Sequence, residues 1–351
     1  MKELRIKDIC DKGSSNLKQK EAEGKTGKYP VYGASGIIGH IDRYHQEDNY
    51  IAIVKDGSGI GRVSFMPAKS SVIGTMQYIL PKKGFNINYI GYCLQSLDLS
   101  KYKQGAAIPH IYFRDYGERT VNVEESEEKQ EEIVTRLDSS FAKIDAVKAN
   151  AKRELDEAKA LFQSALSEMM KPKEGWEEKK LNEISQNLDS LRKPVTKGKR
   201  ESGVFPYYGA SGIVDYVSDY IFDDDILLIS EDGANLLARS TPIAFSVSGK
   251  VWVNNHAHII KFDQLVTQYF IEYFFASIDI SDYVTGAAQP KLTQKNLNII
   301  PISLPPLSEQ ESIVSRLDAI SEKVKTIEAC YNTTVRECDA LKQAILKEIF
   351  E

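Results

Sequence analysis

Hydrophobic positions along this chain fall into two regimes that alternate twice. Positions 134, 137, 141, 144, 148, 151, 155, 158, 162, 165 and 169 read Val, Leu, Phe, Ile, Lys, Ala, Leu, Ala, Phe, Ala and Met. The steps alternate three and four and only Lys148 is polar, which is the seam of a coiled coil. A second seam runs through Ile313, Leu317, Ile320, Val324, Ile327, Tyr331, Cys338, Leu341 and Ile345, with Thr334 as a polar interruption. No Pro or Gly breaks either stretch before Pro172 and residue 351. Leu304-Pro305-Pro306-Leu307 stiffens the approach to the second helix and predicts Ser308 as its N-cap. Val121-Asn122-Val123-Glu124-Glu125 stands before the first helix instead and predicts a less sharply defined start.

The segments ahead of each seam have a different texture. Tyr50-Ile51-Ala52-Ile53-Val54 and Ile226-Leu227-Leu228-Ile229 are short apolar runs, each followed by an acid-Gly turn at Asp56-Gly57 and Asp232-Gly233. They predict buried strands. The stretch Tyr269 to Phe275 carries a helical apolar stripe, matched more weakly by Ile87 to Leu97.

The two regimes repeat because the sequence does. Tyr29-Pro30-Val31-Tyr32-Gly33-Ala34-Ser35-Gly36-Ile37 returns as Phe205-Pro206-Tyr207-Tyr208-Gly209-Ala210-Ser211-Gly212-Ile213. Gly105-Ala106-Ala107-Ile108-Pro109 returns as Gly286-Ala287-Ala288-Gln289-Pro290, and Gln130 to Asp138 returns as Gln310 to Asp318. The unit is too long for a solenoid. It is a mixed module followed by a long helix. A helix of about 44 residues is roughly 65 Å long, and about five linking residues reach at most roughly 20 Å. The second module is therefore expected at the far end of the first helix. The second helix is expected to return antiparallel, giving a dumbbell with an approximate two-fold axis. Pairing of the heptads with another molecule is the competing geometry.

Composition narrows the class. At 42% hydrophobic and 27% charged the chain reads as a soluble protein. No apolar run approaches the roughly 18 residues of a membrane span, and residues 1–8 lack the apolar core of a secretory signal, so a cytoplasmic location is expected. Cys10, Cys93, Cys330 and Cys338 have no C-x-x-C spacing and read as free thiols. The net charge of −5 does not advertise a nucleic-acid binder. Its distribution says more: residues 1–123 hold 18 Lys+Arg against 12 Asp+Glu, and residues 172–307 hold 13 against 17. The first module is basic, whereas the second gains no support from this count.

Taken together, the paired Gly-Ala-Ser-Gly turns, the G-A-A-x-P segments and Leu304-Pro-Pro-Leu-Ser-Glu-Gln-Glu-Ser-Ile-Val-Ser-Arg-Leu-Asp318 resemble the specificity subunit of type I restriction–modification systems. The resemblance covers essentially the whole chain. It implies an α+β fold in which two mixed α/β target-recognition domains are separated by two long antiparallel coiled-coil helices, duplicated about a pseudo-two-fold. The expected boundaries are 1–125, 126–171, 172–306 and 307–351. It further implies a non-enzymatic reader of double-stranded DNA with a bipartite, asymmetric site. Two modification subunits would bring S-adenosylmethionine and methylate adenine, and restriction subunits would cut using ATP and Mg. No cofactor or metal is expected in this chain, and it has neither an Asn-Pro-Pro-aromatic motif nor a G-x-x-x-x-G-K-[ST] loop. The competing class is a coiled-coil adaptor that binds proteins only.

Candidate contacts follow from base chemistry. Arg and Lys suit guanine, Asn and Gln suit adenine, and acids can accept from cytosine. The flanks of the G-A-A segments supply Lys101, Lys103, Gln104, His110, Gln289 and Lys291. The acid-Gly turns supply Lys55, Ser58, Arg62, Glu231, Asn235 and Arg239. Gly57-Ser58-Gly59-Ile60-Gly61 is not read as a phosphate cradle, because a strand rather than a helix follows it. His256 and His258 are expected to share a strand face, equivalent to Met76 and Tyr78. Without a third ligand they are not read as a zinc site. Tyr32 and Tyr208 are expected to support the core or the turns.

Overall fold

The computed structural model describes residues 1–105, 109–286 and 288–351. They form two compact units, Met1–Lys152 with Cys330–Glu351, and Arg153–Ala329. The fold is α+β, and one plan is built twice.

In unit one, a four-stranded antiparallel sheet has the order Cys10–Ser14, Met76–Pro81, Tyr50–Val54, Val63–Met66. Every residue of Tyr50–Val54 is buried, because both faces of the strand are covered. Ile51 and Ile53 join the core beneath the helix Ile87–Ser96. Tyr50, Ala52 and Val54 pack with Val72, Met76 and Tyr78, and Tyr32 lies against them. A strand buried on both sides reads as a continuous apolar run instead of an alternation. In a second sheet Tyr29–Gly33 lies antiparallel to Gly36–Ile41 and parallel to Ser71–Val72. The Gly-Ala-Ser-Gly turn closes that hairpin, with Gly36 at φ +119°. Lys2–Arg5 pairs antiparallel with Thr120–Val123, the strand that leads into the first long helix.

Unit two repeats this with the order Gln186–Asn187, Ala257–Lys261, Ile226–Ser230, Ala244–Val247. Its second sheet has the order Gly212–Val217, Ser202–Gly209, Lys250–Val253, Phe222–Asp223. Tyr208 supports the core around Ile226 and Leu228, as expected of a turn-supporting aromatic. The helix Leu265–Ser277 covers the main sheet, and Glu177–Lys180 pairs with Pro301–Leu304.

The long helices are Glu127–Met169 and Leu307–Phe350. Each unit holds an antiparallel stretch of the two. In unit one, Asp145 pairs with Lys342 at 2.6 Å and Lys148 with Asp339 at 2.8 Å. In unit two, Lys159 pairs with Glu328 at 2.7 Å. Val134, Leu137, Phe141, Ile144 and Leu155 are buried as the heptads predict. Leu341 is not: it is 50% exposed. Lys342 takes the seam position instead, its ammonium 5.1 Å above the Phe141 ring and bonded to Asp145. The aliphatic stem of a lysine can cover an apolar surface while its head stays solvated.

Both helix starts differ from expectation. Leu307 opens the second helix, and the Pro306 carbonyl accepts from the Glu309 and Gln310 N–H groups, so Ser308 lies inside the first turn and is not the cap. Ser126 caps the first helix: its carbonyl accepts from the Gln130 N–H and its hydroxyl from that of Lys129. The repeated glutamine then fastens each module to its helix. Gln130, fully buried, accepts from the Asn86 N–H and donates to the Gly84 and Glu124 carbonyls. Gln310 accepts from the Thr267 hydroxyl and donates to the Pro305 carbonyl. A repeated tyrosine–aspartate bond reinforces the junction, Tyr92 to Asp138 in unit one and Tyr273 to Asp318 in unit two.

All four cysteines are free. Burial pushes the Cys10 thiol up to about 12. No helix among the described residues is long and apolar enough to cross a membrane.

Candidate nucleic-acid interface

Strand register aligns the two units residue by residue. Ile53 stands opposite Gln77, and Ile229 stands opposite His258. The Lys55 N–H donates to the Thr75 carbonyl and the Glu231 N–H to that of His256. The structural counterparts of His256 and His258 are therefore Thr75 and Gln77, one residue away from the expected Met76 and Tyr78. The two histidines also part company. His256 is half exposed and pairs with Asp232 at 2.9 Å, whereas His258 is 1% exposed.

The same register locates the length difference between the copies. Ile53 pairs with Val63, but Ile229 pairs with Ala244. The extra residues of the second copy therefore lie in the hairpin that follows the acid-Gly turn. In unit two that hairpin contains a helical turn, Asn235–Ala238. In unit one it is a short turn with Gly57, Gly59 and Gly61 at φ +88°, +85° and +84°. A side chain at Gly61 would also meet the Ser100 backbone nitrogen at 2.9 Å.

Each hairpin docks on the G-A-A-x-P loop of its own unit through the same backbone bonds. The Gly57 N–H donates to the Pro109 carbonyl at 3.0 Å, and the Ile111 N–H donates to that of Lys55 at 2.9 Å. The Gly233 N–H donates to Pro290 at 2.9 Å, and the Leu292 N–H to Glu231 at 2.8 Å. Gln104 and His110 exchange two backbone bonds, as do Thr285 and Lys291. Residues 106–108 and 287, the centres of the two loops, lie outside the described residues.

The side chains on this common frame differ. In unit one, His110 Nδ1 lies 2.6 Å from Asp56 and the imidazole stacks on Tyr112, with centroids 6.3 Å apart. The Arg114 guanidinium lies 4.7 Å over the Tyr112 ring. Tyr112 is 42% exposed. Arg62 donates to the Ala34 carbonyl at 2.8 Å, tying the hairpin to the Gly-Ala-Ser-Gly turn. In unit two the Ser230 hydroxyl donates to the equivalent Ala210 carbonyl. Gln104 donates to Asp115 at 2.8 Å. Ser58, Lys101 and Lys103 are exposed, and Lys55 lies 3.9 Å from Asp56.

In unit two, Glu231 is buried at the position of Lys55 and bonds Arg192 at 2.5 Å and Lys291 at 3.0 Å. Burial opposes its ionisation, but Arg192 and Lys291 outweigh that and hold the carboxyl below its usual range. Asp189 behaves alike: burial opposes ionisation, while His258, the Ile259 N–H and Arg192 together hold it low. Asn235 closes the hairpin through Thr241 and Ser240. Arg239, at φ +51°, donates to the Phe275 and Ile278 carbonyls at 2.8 Å. Gln289 is exposed and Lys291 half-exposed. The structure thus brings the hairpin of each unit against its G-A-A-x-P loop, and it commits Glu231, Asn235 and Arg239 to shaping the hairpin.

Sequence reasoning missed Tyr112, Arg114 and Arg192. The first two follow the G-A-A loop at alternate positions, a spacing visible in the sequence. Asp189, Glu231 and His258 form the cluster with metal-like spacing among the described residues. Arg192 already bonds Glu231 and lies 3.6 Å from Asp189, so a guanidinium supplies the positive charge there. Both His258 nitrogens also face acceptors, Asp189 at 2.6 Å and the Leu292 carbonyl at 2.8 Å.

Each of the two modules carries the same hairpin-on-loop frame and is followed by a long helix. The chain belongs to the type I restriction modification DNA specificity domain family, whose model matches residues 1–157 and again 173–333. A provisionally assigned type I restriction enzyme specificity subunit of Haemophilus influenzae is 38% identical over 143 residues, 41% of this chain and 37% of that protein. The EcoprrI specificity subunit of Escherichia coli is 25% identical over 133 residues, 38% of this chain and 32% of that protein. These matches span well under two thirds of the relatives' length. Among solved structures, a chain from work on complex assembly and conformational transition of the type I R-M system superposes with TM-score 0.73 at 16% identity, covering 99% of this chain and 96% of that chain. The HsdS subunit of Thermoanaerobacter tengcongensis gives TM-score 0.53 at 15% identity, covering 99% and 95%. These likenesses bear on the fold.

Proposed function

We propose that this chain is the non-catalytic DNA reader of a type I restriction–modification complex, recognising a bipartite, asymmetric site with one half-site per unit. The observation that carries the reading is the hairpin docked on the G-A-A-x-P loop. Its backbone frame is held constant while its side chains and length vary. A scaffold that fixes backbone and changes surface chemistry suits two readers of unlike sequence. In unit one the reading surface is Ser58, Arg62, Lys101, Lys103, Gln104 and His110, with Lys55 behind them and Tyr112 and Arg114 added. In unit two it is Gln289 and Lys291 of the G-A-A-x-P loop, docked against a hairpin shaped by Glu231, Asn235 and Arg239.

Two methyltransferase subunits would dock on the helices and modules, bringing S-adenosylmethionine. Restriction subunits, using ATP and Mg, are further partners. The assembly would work in the cytoplasm, where its DNA lies. The two long helices would set the spacer between half-sites.

The test is co-expression with a methyltransferase subunit, followed by selection of bound duplexes from random-sequence DNA. A split consensus with two unlike halves is expected. A complex that forms but retains no DNA sequence would overturn the reading in favour of a protein-binding adaptor.

A further inference from the structure

The second module carries a net negative count, yet residues 192–200 contain Arg192, Lys193, Lys197, Lys199 and Arg200 and no acid. The structure divides these five cations into two groups. The arginines turn inward and hold the loop. Arg192 donates to the Asp189 carbonyl at 3.1 Å and the Ala257 carbonyl at 2.9 Å, besides its pairing with Glu231. Arg200 donates to the Val195 carbonyl and to Asp215, both at 3.0 Å, and its guanidinium lies 4.2 Å over the Tyr207 ring. Tyr207 accepts from the Val195 N–H at 3.0 Å and stacks on Trp252, whose indole N–H donates to the Lys193 carbonyl at 2.7 Å.

The lysines are the second group. Lys193, Lys197 and Lys199 are all exposed, and none makes an ion pair among the described residues. Of the acids around the loop, Asp189 and Glu231 are matched by Arg192 and Asp215 by Arg200, whereas Glu201 takes the Ser218 hydroxyl and Asp219 the Tyr220 N–H. Lys197 acts on Asp215 only through space. Three like charges on a braced loop repel one another, and none is held by an ion pair among the described residues. That arrangement favours an anionic partner, and bracing lowers the ordering cost of meeting it. The loop is also coupled to the reading hairpin, because Arg192 bonds Glu231 of the acid-Gly turn. The topologically equivalent stretch of unit one, residues 15–28, mixes four lysines with Glu21 and Glu23.

We propose that the 192–200 loop is a phosphate clamp of unit two, in which Lys193, Lys197 and Lys199 contact the DNA backbone beside the half-site read by the acid-Gly hairpin and the loop that carries Lys291. The proposal rests on the DNA-reading function above and adds a division of labour. Lysines on this loop supply sequence-independent affinity, and the hairpin supplies discrimination.

The experiment uses the full chain assembled with its methyltransferase subunits. Binding of a cognate and a scrambled duplex is measured across a salt series for the wild type, for Lys193→Gln/Lys197→Gln/Lys199→Gln, and for the corresponding triple Lys→Arg variant. Each phosphate contact contributes about 0.9 to the slope of log affinity against log salt. The glutamine variant is expected to lose about 2 to 3 from that slope, with cognate and scrambled DNA weakened alike. The methylated sequence should stay unchanged, and the arginine variant should keep the wild-type slope. An unchanged slope in the glutamine variant, or weakening confined to cognate DNA, overturns the clamp while leaving the reader intact. A wild-type complex that binds no DNA overturns the reader itself, and the clamp with it.

Discussion

Arg192 donates to the Glu231 carboxylate at 2.5 Å, with side chains only 16% and 12% exposed. The pair joins the loop that carries the exposed lysines to the acid-Gly hairpin. Removing one partner of a buried pair strands the other charge, at a cost of about 3–5 kcal/mol. Glu231 keeps Lys291 at 3.0 Å, so Arg192→Leu should destabilise unit two by less than that, about 1–3 kcal/mol, read as its unfolding transition in denaturant. A loss below about 1 kcal/mol would show that Lys291 alone satisfies Glu231.

Acid should act on the same network. Asp189 and Glu231 are both held below their usual ranges. A depressed folded-state pKa contributes stability that is present above the unfolded value, about 4, and is lost as pH falls through the folded value. Glu272 works in the opposite sense, because burial raises its pKa, and its penalty fades in acid. Other carboxylates of unit two are held low as well, Asp215 by Arg200 and Asp224 by Lys261 among them, so the balance against Glu272 predicts a melting temperature of unit two that falls below about pH 4.5. Glu231→Gln should flatten that acid limb in a calorimetric pH series. An acid limb identical to the wild type would remove Glu231 from the account.

The buried glutamines offer a matched pair of tests. Gln130→Ala leaves the Asn86 N–H and two carbonyls without their partner, and each buried unsatisfied group costs about 1–3 kcal/mol. Unit one should loosen where module meets helix, seen as faster amide exchange around residues 84–90. Gln310→Ala should do the same near Thr267 in unit two. Exchange that rises equally in both units after either change would contradict the separate roles.

Much of this was legible in the sequence, and the gaps have physical causes. The seam through Val134, Leu137, Phe141 and Ile144 was readable because apolar side chains repeat at heptad spacing. Leu341 was misread because Lys342 covers Phe141 with a side chain that counts as charged. The changing offset between the copies announced an insertion, but only the pairing of Ile229 with Ala244 places it in the hairpin. The off-by-one equivalence of the histidines has the same origin. The 192–200 loop was hidden because charge was summed over the whole module, whereas electrostatics at an interface is local. Which side chains are spent on structure, Arg239 above all, depends on contacts distant in sequence.

The unit-one loop that carries His110 and Tyr112 should govern a single half-site. Tyr112→Ala together with His110→Ala removes the exposed stack without touching the backbone frame. Relaxed methylation at one half-site, with the other unchanged, is expected from methylome sequencing. Equal relaxation at both would mean the stack acts on the complex as a whole.

The central claim is that each unit reads its own half-site. The direct measurement replaces residues 1–123 with the corresponding module of a relative that methylates a different target, followed by methylome sequencing of cells carrying the hybrid and its methyltransferase. The account predicts a new sequence in one half-site, with the other half-site and the spacer retained. A hybrid that methylates the original site, or one that changes both halves at once, would contradict it.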